Sequence, residues 1–333
     1  MNVLVINGAE VAELLPMADA IEVMADALEA LARGDAILPL RPVMWLPDRI
    51  GALGMMPAYL GGEPSVMGLK VVSVFPGNRG TPYDSHQGAV MLFETNHGRP
   101  LAIIDASTIT AIRTAAVTGV ATRALAREDA GNLAILGSGV QAQTHLDAML
   151  AVRPIRRIRV WSRTADNAQE FAERESGRHN VEIEVSESAQ EAVNGADLIC
   201  TVTSATAPVL KGEWIAEGAH VNAVGSSVPF ARELDTEAVA RSRMYVDRRE
   251  STLNEAGDFL FPKQEGAVDD SHIQGELGDL LIGRVEGRRS PAEITLFKSL
   301  GLAVEDLAAG YHIYVKALAH NVGTAVSLGG TRD

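Results

Sequence analysis

The chain of 333 residues lacks the residues on which several common classes of protein depend. It has a single cysteine, Cys200, so no internal disulfide is possible. Cys200 lies in an apolar, strand-like run, which predicts a small core residue and not a nucleophile. The histidines are scattered and have no cysteine partners at ligand spacing, so no metal site is predicted.

Positive charge and long apolar segments are also scarce. The formal net charge of −14 argues against binding a polyanion such as nucleic acid. No apolar run approaches the roughly 20 residues that span a membrane. The N-terminal segment has no basic region and reaches Glu10 early. We therefore expect a cytoplasmic protein without a membrane partner, and its length allows two domains.

The most informative feature present is an apolar run at residues 132–136 that ends in Gly137, Gly139 and Ala142, the spacing G-x-G-x-x-A. Gly137 allows a tight turn, Gly139 lets a pyrophosphate approach the backbone, and Ala142 lets the next helix pack closely. The start of that helix offers free N–H groups to phosphates. The cofactor contacts expected at this turn are Gly137, Ser138, Gly139, Val140 and Gln141.

Strand-like and helix-like segments alternate after this turn. The further strands are expected at residues 157–161, 181–185, 197–202, 220–225 and 243–247. Alternating strands and helices predict an α/β fold with a doubly wound parallel sheet, and six strands are the number in a full dinucleotide-binding domain. We therefore expect a Rossmann domain over residues 127–303.

The residues after the second strand of this domain indicate which dinucleotide it binds. An NAD-binding domain usually has an acidic residue about 20 positions beyond the glycines. Here the strand is followed by Ser162, Arg163 and Thr164, and no carboxylate stands there. Arg163 suits a 2′-phosphate, with the two hydroxyls as hydrogen-bond donors. This favours NADP(H); if Arg163 is only a solvated residue at a helix start, NAD(H) remains possible.

The rest of the chain predicts a second, α+β domain for substrate binding and dimerisation, made of residues 1–126 and 304–333. Helices are expected at 15–34 and 108–125, strands at 69–75, 89–94 and 101–104, and a helical tail at 304–328. The tail returns most simply to this domain, since the chain ends of an inserted domain lie close together. An exposed sheet needs a cover, for which a second copy of the chain is the natural candidate.

Four segments in order resemble the ornithine cyclodeaminase/mu-crystallin family. They are SHQG at 85–88, ITAIRTAA at 109–116, ILGSGVQA at 135–142 and ITLFKSLG at 294–301. The resemblance implies a homodimer built through the N-terminal domain and a nicotinamide cofactor. It also implies chemistry on amino or imino acids, as in cyclodeaminases, alanine dehydrogenases and ketimine reductases. The fold alone does not choose among these reactions.

The resemblance places the residues that bind a substrate carboxylate at Arg41, Lys70 and Arg113. Such a carboxylate needs cations on rigid elements. Arg113 lies among small apolar residues, where an unpaired cation is costly, so it needs an anionic partner. Each position has a structural alternative: a surface arginine, a solubilising lysine, and an arginine paired with an Asp or Glu. Lys70 is also a catalytic candidate, as acid or base, if burial lowers its pKa.

Two departures from the cyclodeaminase pattern decide between the reactions. Cyclodeaminases carry a glutamate two residues before a Met-Pro pair and an aspartate after the fifth strand of the nucleotide domain. Gly54 and Ser227 occupy these positions here. A distal substrate ammonium would lack a partner, which costs several kcal/mol. Ser227 matches the mu-crystallin arrangement and is a catalytic candidate that orients the substrate or a water, unless it is only a turn residue.

Other polar residues are assigned less specific roles. His86 is a candidate for the substrate pocket or a structural hydrogen-bonding residue. Thr114 is placed near the nicotinamide by resemblance, as are Asn321 and Gly323. The remaining cofactor contacts are expected at the carboxyl edge of the sheet, at Thr201, Thr203 and Val224.

The predicted reaction is NAD(P)H-dependent reduction of an α-imino acid to the L-amino acid. A cyclic ketimine such as pyrroline-2-carboxylate or piperideine-2-carboxylate is the expected substrate. Three alternatives stay open: an alanine-type dehydrogenase, a non-catalytic ligand-binding protein like mu-crystallin, and a cyclodeaminase. The last requires another carboxylate, for which Asp258 and Glu255 are candidates.

Overall fold

The computed structural model describes residues 2–78 and 80–330. The chain divides into two compact units, one formed by Met1–Arg113 with Leu302–Asp333 and the other by Thr114–Gly301. The helix expected at 108–125 runs from Ala106 to Leu125 and crosses the boundary. Residues from Thr114 onward therefore belong to the second unit, whereas the expected boundary lay at residue 126.

The helices and strands are numbered in chain order. The helices are α1 Gly8–Leu14, α2 Met17–Arg33, α3 Ala106–Leu125, α4 Val140–Val152, α5 Ala165–His179, α6 Ala189–Val193, α7 Thr236–Ala240, α8 Arg249–Glu255, α9 Gly257–Gln264, α10 Leu277–Leu281 and α11 Ala303–His320. The strands are β1 Asn2–Ile6, β2 Ala36–Ile37, β3 Val43–Trp45, β4 Ala52–Leu60, β5 Val66–Val74, β6 His86–Glu94, β7 Pro100–Asp105, β8 Asn132–Leu136, β9 Arg157–Trp161, β10 Ile183–Val185, β11 Leu198–Thr201, β12 His220–Ala223, β13 Arg243–Val246, β14 Ile273–Glu276, β15 Thr295–Lys298 and β16 Thr324–Ser327.

The first unit contains a mixed sheet in the order β16-β1-β7-β6-β5-β4-β2, and β3 also pairs with β4. The three strands expected here are present within β5, β6 and β7. The expected helix at 304–328 is wrong in its last part, because α11 ends at His320 and is followed by Asn321, which has a left-handed backbone with φ 56°. The chain then pairs as β16 with β1 in antiparallel register.

Helix α11 lies close to this sheet because two glycines leave room for it. A Cβ on Gly68 would lie 2.6 Å from the Met91 carbonyl oxygen and 2.7 Å from Leu307 Cδ1. A Cβ on Gly310 would lie 3.3 Å from Val90 Cγ1. The close approach brings the first turn of α11 to the strand that carries Lys70.

The second unit contains eight parallel strands in the order β10-β9-β8-β11-β12-β15-β13-β14. The predicted doubly wound parallel sheet is confirmed, and all six expected strands are present. The count of six is wrong, because β14 and β15 also belong to the sheet, and β15 lies between β12 and β13. The strand order reverses at β8 and β11, the position at which such sheets bind dinucleotides.

The core of the second unit includes Cys200, which is fully buried. Burial raises the pKa of its thiol to about 12, so the prediction of a core residue and not a nucleophile is confirmed. Across residues 2–78 and 80–330, no helix has the length and apolar character needed to cross a membrane. No cluster of possible metal ligands is found in the same ranges, so nothing there supports a metal centre.

Candidate active site

Four charged side chains form a buried cluster in the first unit. Lys70 Nζ lies 2.7 Å from Asp306 Oδ2, and Arg113 Nε lies 3.0 Å from Asp306 Oδ1. Arg113 Nη1 lies 2.7 Å from Glu305 Oε2. None of the four residues is more than 4% exposed. The cluster therefore contains two cations and two anions shielded from water, where their attraction is much stronger than at a surface.

Three elements of the first unit supply this cluster. Lys70 lies on β5 opposite Met56 of β4 and Val90 of β6. Arg113 lies on α3, and the two carboxylates lie in the first turn of α11. Acidic residues in a first helical turn are stabilised by the positive end of the helix dipole. The helix thus favours the anions, and its packing on the sheet delivers them to the two cations.

The surroundings of Lys70 lower its pKa from 10.5 to about 8. Burial is the largest cause, and the neighbouring Arg113 guanidinium acts in the same direction, while Asp306 and Glu305 oppose it. Among the described residues the ammonium has two partners, Asp306 and the Thr110 hydroxyl at 3.4 Å. An ammonium group has three donors. One donor of Lys70 is therefore not used by the described residues.

This geometry bears on the predicted carboxylate-binding roles. Arg113 pairs with Glu305 and Asp306, as the structural alternative for this residue predicted. Glu305 and Asp306 were missed from the sequence. The signal was present, since two adjacent acids stand in the otherwise apolar stretch 302–309 and could be buried there only beside cations. The role of Lys70 and Arg113 toward a substrate stays a prediction.

His86 and Arg41 occupy the accessible part of the first unit. His86 opens β6, and its Nδ1 lies 3.0 Å from the Ser85 hydroxyl. His86 is exposed, and desolvation by its surroundings and then the Lys70 ammonium lower its pKa. Arg41 is half-buried between β2 and β3. Their substrate-binding roles stay predictions.

The glycine turn of the second unit has the geometry that its spacing predicts. Gly137 has φ 127°, its N–H donates to the Trp161 carbonyl at 2.8 Å, and a Cβ there would lie 2.8 Å from the Val202 carbonyl oxygen. Gly139 precedes α4, and a Cβ there would meet nothing within 4 Å. Ala142 is fully buried. The turn is closed toward the sheet and open above the helix start, so these residues fit a pyrophosphate.

The end of β9 contacts this turn through one hydrogen bond. The Ser138 hydroxyl donates to the Ser162 hydroxyl at 3.0 Å. Arg163 and Thr164 are exposed, and Thr164 precedes α5 without capping it through its side chain. Within the part of the chain that the structure describes, Arg163 forms no ion pair. Its guanidinium is therefore available to an anionic ligand beside the turn.

A buried carboxylate, Glu233, organises the loops after β11 and β12. It accepts hydrogen bonds from the Thr201 hydroxyl at 2.8 Å, the Thr203 N–H at 2.6 Å and the Thr203 hydroxyl at 2.7 Å. The Gly225 N–H also donates to it at 2.7 Å. Burial and the nearby Asp258 raise the pKa of Glu233. The fully buried Thr201 thus donates to Glu233, and Thr203 is half-buried. Their cofactor contacts stay predictions.

Lys298 and Asp258 also stabilise the loops after β11 and β12 that contact Glu233. Lys298 Nζ lies 3.0 Å from Asp258 Oδ2 and donates to the Ala223 and Ser226 carbonyls at 3.1 and 2.6 Å. Asp258 Oδ1 accepts from the Glu233 N–H at 2.7 Å. Asp258 is fully buried and pairs with Lys298, so nothing in this geometry supports it as the missing cyclodeaminase carboxylate.

The remaining predicted residues lie near these features of their own units. Val224 and Ser227 are half-buried in the loop after β12, which Lys298 holds through the Ser226 carbonyl. Thr114 is 8% exposed on α3. Asn321 and Gly323 lie between α11 and β16. Their contacts with a cofactor or substrate stay predictions.

The fold and these features define a class of protein: a Rossmann-type dinucleotide-binding protein with a buried charged cluster in an additional α+β unit. The chain belongs to the ornithine cyclodeaminase/mu-crystallin family, whose model matches residues 1–321. The family expected from the four ordered segments is thereby confirmed.

Relatives within this family include reductases and a dehydrogenase. The mouse (Mus musculus) ketimine reductase mu-crystallin is 42% identical over 281 residues, which are 84% of this chain and 85% of that protein. The structure of Thermococcus litoralis Delta(1)-pyrroline-2-carboxylate reductase in complex with NADH and L-proline is 41% identical, with a TM-score of 0.95 over 97% of this chain and 100% of that chain. An archaeal alanine dehydrogenase dimer with bound NAD is 31% identical, with a TM-score of 0.93 over 99% and 100%.

Proposed function

We propose that this protein catalyses NAD(P)H-dependent reduction of an α-imino acid to the L-amino acid. Cyclic ketimines of the pyrroline-2-carboxylate and piperideine-2-carboxylate type are the proposed substrates. The observation that carries the proposal is Lys70, a buried lysine with a pKa lowered to about 8 and one donor unused by the described residues. The similarity to two imine-reducing enzymes supports the same reaction.

The proposal assigns dinucleotide binding to the second unit and carboxylate and proton chemistry to the first. When bound, the reduced nicotinamide supplies the hydride. The N–H groups at the start of α4 hold the pyrophosphate beside Gly139, where no side chain intervenes. Lys70, largely protonated at neutral pH because its pKa is about 8, donates a hydrogen bond to the substrate and delivers the proton that the imine nitrogen needs. Ser227 orients the substrate or a water molecule that lies beside the Ser227 hydroxyl.

The charges of the cluster support a further cation for the substrate carboxylate, besides Lys70 and Arg113. Those two cations already face two carboxylates, Glu305 and Asp306. A third anion beside these four described charges adds a buried negative charge, which is costly without a further cation. Arg41 is the candidate for that cation. His86 is a second candidate contact, because it lies close enough to Lys70 for the Lys70 ammonium to lower the pKa of its ring.

The structure gives ornithine cyclodeamination no support. Gly54 lies on β4, and a Cβ there would meet only Val72 within 4 Å. No carboxylate stands at that position to hold a distal ammonium. Ser227 is a poor base at neutral pH, and Asp258 is committed to Lys298. A substrate with an uncharged ring or side chain fits these residues better.

An alanine-type dehydrogenase is the second candidate, favoured by the similarity to the archaeal enzyme over nearly the whole chain. A lysine of lowered pKa serves that reaction equally well, because its imine forms from a 2-oxo acid and ammonia. The two candidates differ in whether turnover requires free ammonia. A non-catalytic, ligand-binding role is the third candidate, and any turnover would exclude it.

We also propose a homodimer that uses the first unit. Its edge exposes large apolar side chains, among them Ile37 at 66%, Met44 at 52% and Trp45 at 46%. Large exposed apolar side chains on edge strands are typical of protein–protein contacts. Light scattering after size exclusion should give twice the 35.3 kDa chain mass. A monomer at micromolar concentration would refute this.

The decisive experiment measures oxidation of NADH and NADPH with a panel of cyclic and linear imino acids, and with 2-oxo acids with and without ammonia. We expect turnover of a cyclic ketimine without added ammonia and an L-amino acid as product by chiral chromatography. Turnover that requires ammonia and a 2-oxo acid would favour the dehydrogenase. No turnover with any substrate, despite measurable dinucleotide binding, would refute an imine reductase.

A further inference from the structure

Asp306 is the carboxylate that contacts both cations of the buried cluster. Its Oδ2 lies 2.7 Å from Lys70 Nζ and its Oδ1 lies 3.0 Å from Arg113 Nε. Asp306 is 1% exposed, so water does not compete for either oxygen. Each oxygen therefore fixes one cation, and the rigid carboxylate plane fixes the two cations relative to each other.

We propose that Asp306 is the positioning residue of this cluster: it holds Lys70 and Arg113 in one arrangement and keeps Lys70 protonated at neutral pH. The consequence for catalysis rests on the proposed function. The electrostatic part does not, because the protonation of Lys70 is measurable in the protein without substrate or cofactor.

The charges that face Lys70 show why one residue has this effect. Arg113 of α3 is the positive neighbour, and Asp306 and Glu305 of α11 are the negative ones. His86 of β6 also faces Lys70, but its pKa is lowered, so it is a neutral neighbour at neutral pH. Burial and the Arg113 guanidinium both favour the neutral amine, and Asp306 is the strongest influence in the opposite direction. Without it, the carboxylate that remains beside the two buried cations among the described residues is Glu305, whose described ion pair is with Arg113. The proton of Lys70 would then be lost more readily.

Glu305 provides a matched control on the same helical turn. It has the same charge and is equally buried, but its described ion pair is with Arg113 and not with Lys70. Asp306→Asn and Glu305→Gln each remove one carboxylate charge and keep the shape of the side chain. If any loss of buried charge perturbs the cluster, the two variants will behave alike. If Asp306 has the proposed role, only its replacement will change the titration of Lys70 strongly.

The composition of the chain makes a direct measurement practical, because it contains only five lysines. In protein labelled with 13C at the lysine Cε, each lysine gives one resonance that shifts when the ammonium loses its proton. A Lys70→Met variant assigns the resonance of interest. We expect Lys70 to titrate near pH 8 in the wild type. Its pKa should fall by roughly one to three units in Asp306→Asn, and by clearly less in Glu305→Gln.

The pH dependence of turnover supplies the second readout. The protonated lysine is the active form, so kcat/KM should fall as pH rises through the pKa of Lys70. In Asp306→Asn, this decline of kcat/KM should occur at lower pH, by the same change in pKa that the spectra give for Lys70. Asp306→Glu, which keeps the charge, should restore the decline toward the wild-type pH. If Asp306→Asn does not fold, Asp306→Glu and the wild-type titration still test the proposal.

Each outcome decides a separate point. An Asp306→Asn protein in which Lys70 titrates as in the wild type would overturn the proposal, as would an Asp306→Asn titration equal to that of Glu305→Gln. An Asp306→Glu protein with the Lys70 titration of Asp306→Asn would also overturn it. Absence of wild-type turnover with any imino acid would refute the proposed function instead, and the spectra would still measure the effect of Asp306.

Discussion

Replacing Lys298 by methionine should destabilise the second unit strongly, and the structure allows the size of the effect to be worked out. The ammonium contacts one carboxylate and two backbone carbonyls, and both Lys298 and Asp258 are essentially inaccessible to water. Methionine fills similar space but leaves the Asp258 charge buried without its cation. Breaking a buried pair from one side costs about 3–5 kcal/mol, a large part of the 5–15 kcal/mol that typically holds a domain together.

The assay is thermal unfolding followed by circular dichroism, together with denaturant titration to obtain the free energy of unfolding. For a unit of this size, a loss of 3–5 kcal/mol lowers the Tm by roughly 6–20 °C. Lys263→Met is the matched control, since Lys263 pairs with Asp270 at 2.5 Å in the same unit, but with side chains 41% and 54% exposed. An exposed pair contributes about 1 kcal/mol or less.

A double variant separates the orphaned charge from lost packing. Asp258→Asn keeps an oxygen that can accept from the Glu233 N–H but removes the negative charge. Lys298→Met combined with Asp258→Asn should therefore be more stable than Lys298→Met alone, with a coupling of at least 1 kcal/mol. The reasoning would be refuted by a Lys298→Met protein that loses no more stability than Lys263→Met, or by a double variant that is no more stable than the single one.

Four further predictions concern the proposed reaction. Lys70→Met should abolish imine reduction but leave dinucleotide affinity within about twofold, measured by fluorescence titration; retained turnover would contradict the role of Lys70. Arg41→Met should raise KM for the imino acid at least tenfold, because a charge-assisted hydrogen bond contributes roughly 1.5–3 kcal/mol, whereas an unchanged KM would remove Arg41 from the site. Arg163→Gln should lower kcat/KM for NADPH by roughly tenfold or more and change that for NADH little; equal effects on both would argue against a 2′-phosphate contact. In the wild type, kcat/KM should be constant below pH 7 and decline above a pKa of about 8, because the protonated Lys70 is lost as pH rises through its pKa; a decline only toward acid would reverse the assigned proton direction.

Much of the second unit could be predicted because its local signals agree with one another. The apolar runs that became β8 and β9, the glycine turn and the small Ala142 all point to one arrangement, and the structure contains it. The missed strands carry mixed signals. Strand β14 includes Gln274, Gly275 and Glu276, and β15 ends in Lys298, so neither has a continuous apolar pattern.

The first unit was harder to predict because its strands contain residues that usually interrupt strands. Strand β4 alternates between buried and half-buried positions, but Gly54 and Pro57 obscure that period in the sequence. Strand β16 is exposed throughout and forms only because β1 provides a pairing edge. Pairing of that kind depends on tertiary context, which a local pattern does not encode.

The site shows the same division between local and long-range information. Lys70 and Arg113 could be singled out from their neighbours and the family resemblance, but their partners lie near the other end of the chain, at Glu305 and Asp306. Thr201 was placed correctly at the carboxyl edge of its strand. Its hydroxyl nevertheless contacts Glu233, 32 residues along the chain, and no spacing in the sequence indicated that partner.

The two buried lysines explain why burial alone does not make a lysine reactive. Lys298 donates to two backbone carbonyls at 3.1 and 2.6 Å and has the Asp258 carboxylate at 3.0 Å. Lys70 has one close acceptor, one distant hydroxyl at 3.4 Å and a neighbouring guanidinium that repels it. The fold gives Lys298 more close acceptors than Lys70, and the surroundings of Lys70 lower its pKa. If that difference in acceptors is the source of reactivity, introducing a further acceptor beside Lys70, as in Thr110→Asp, should raise its pKa and move the basic limb of kcat/KM to higher pH.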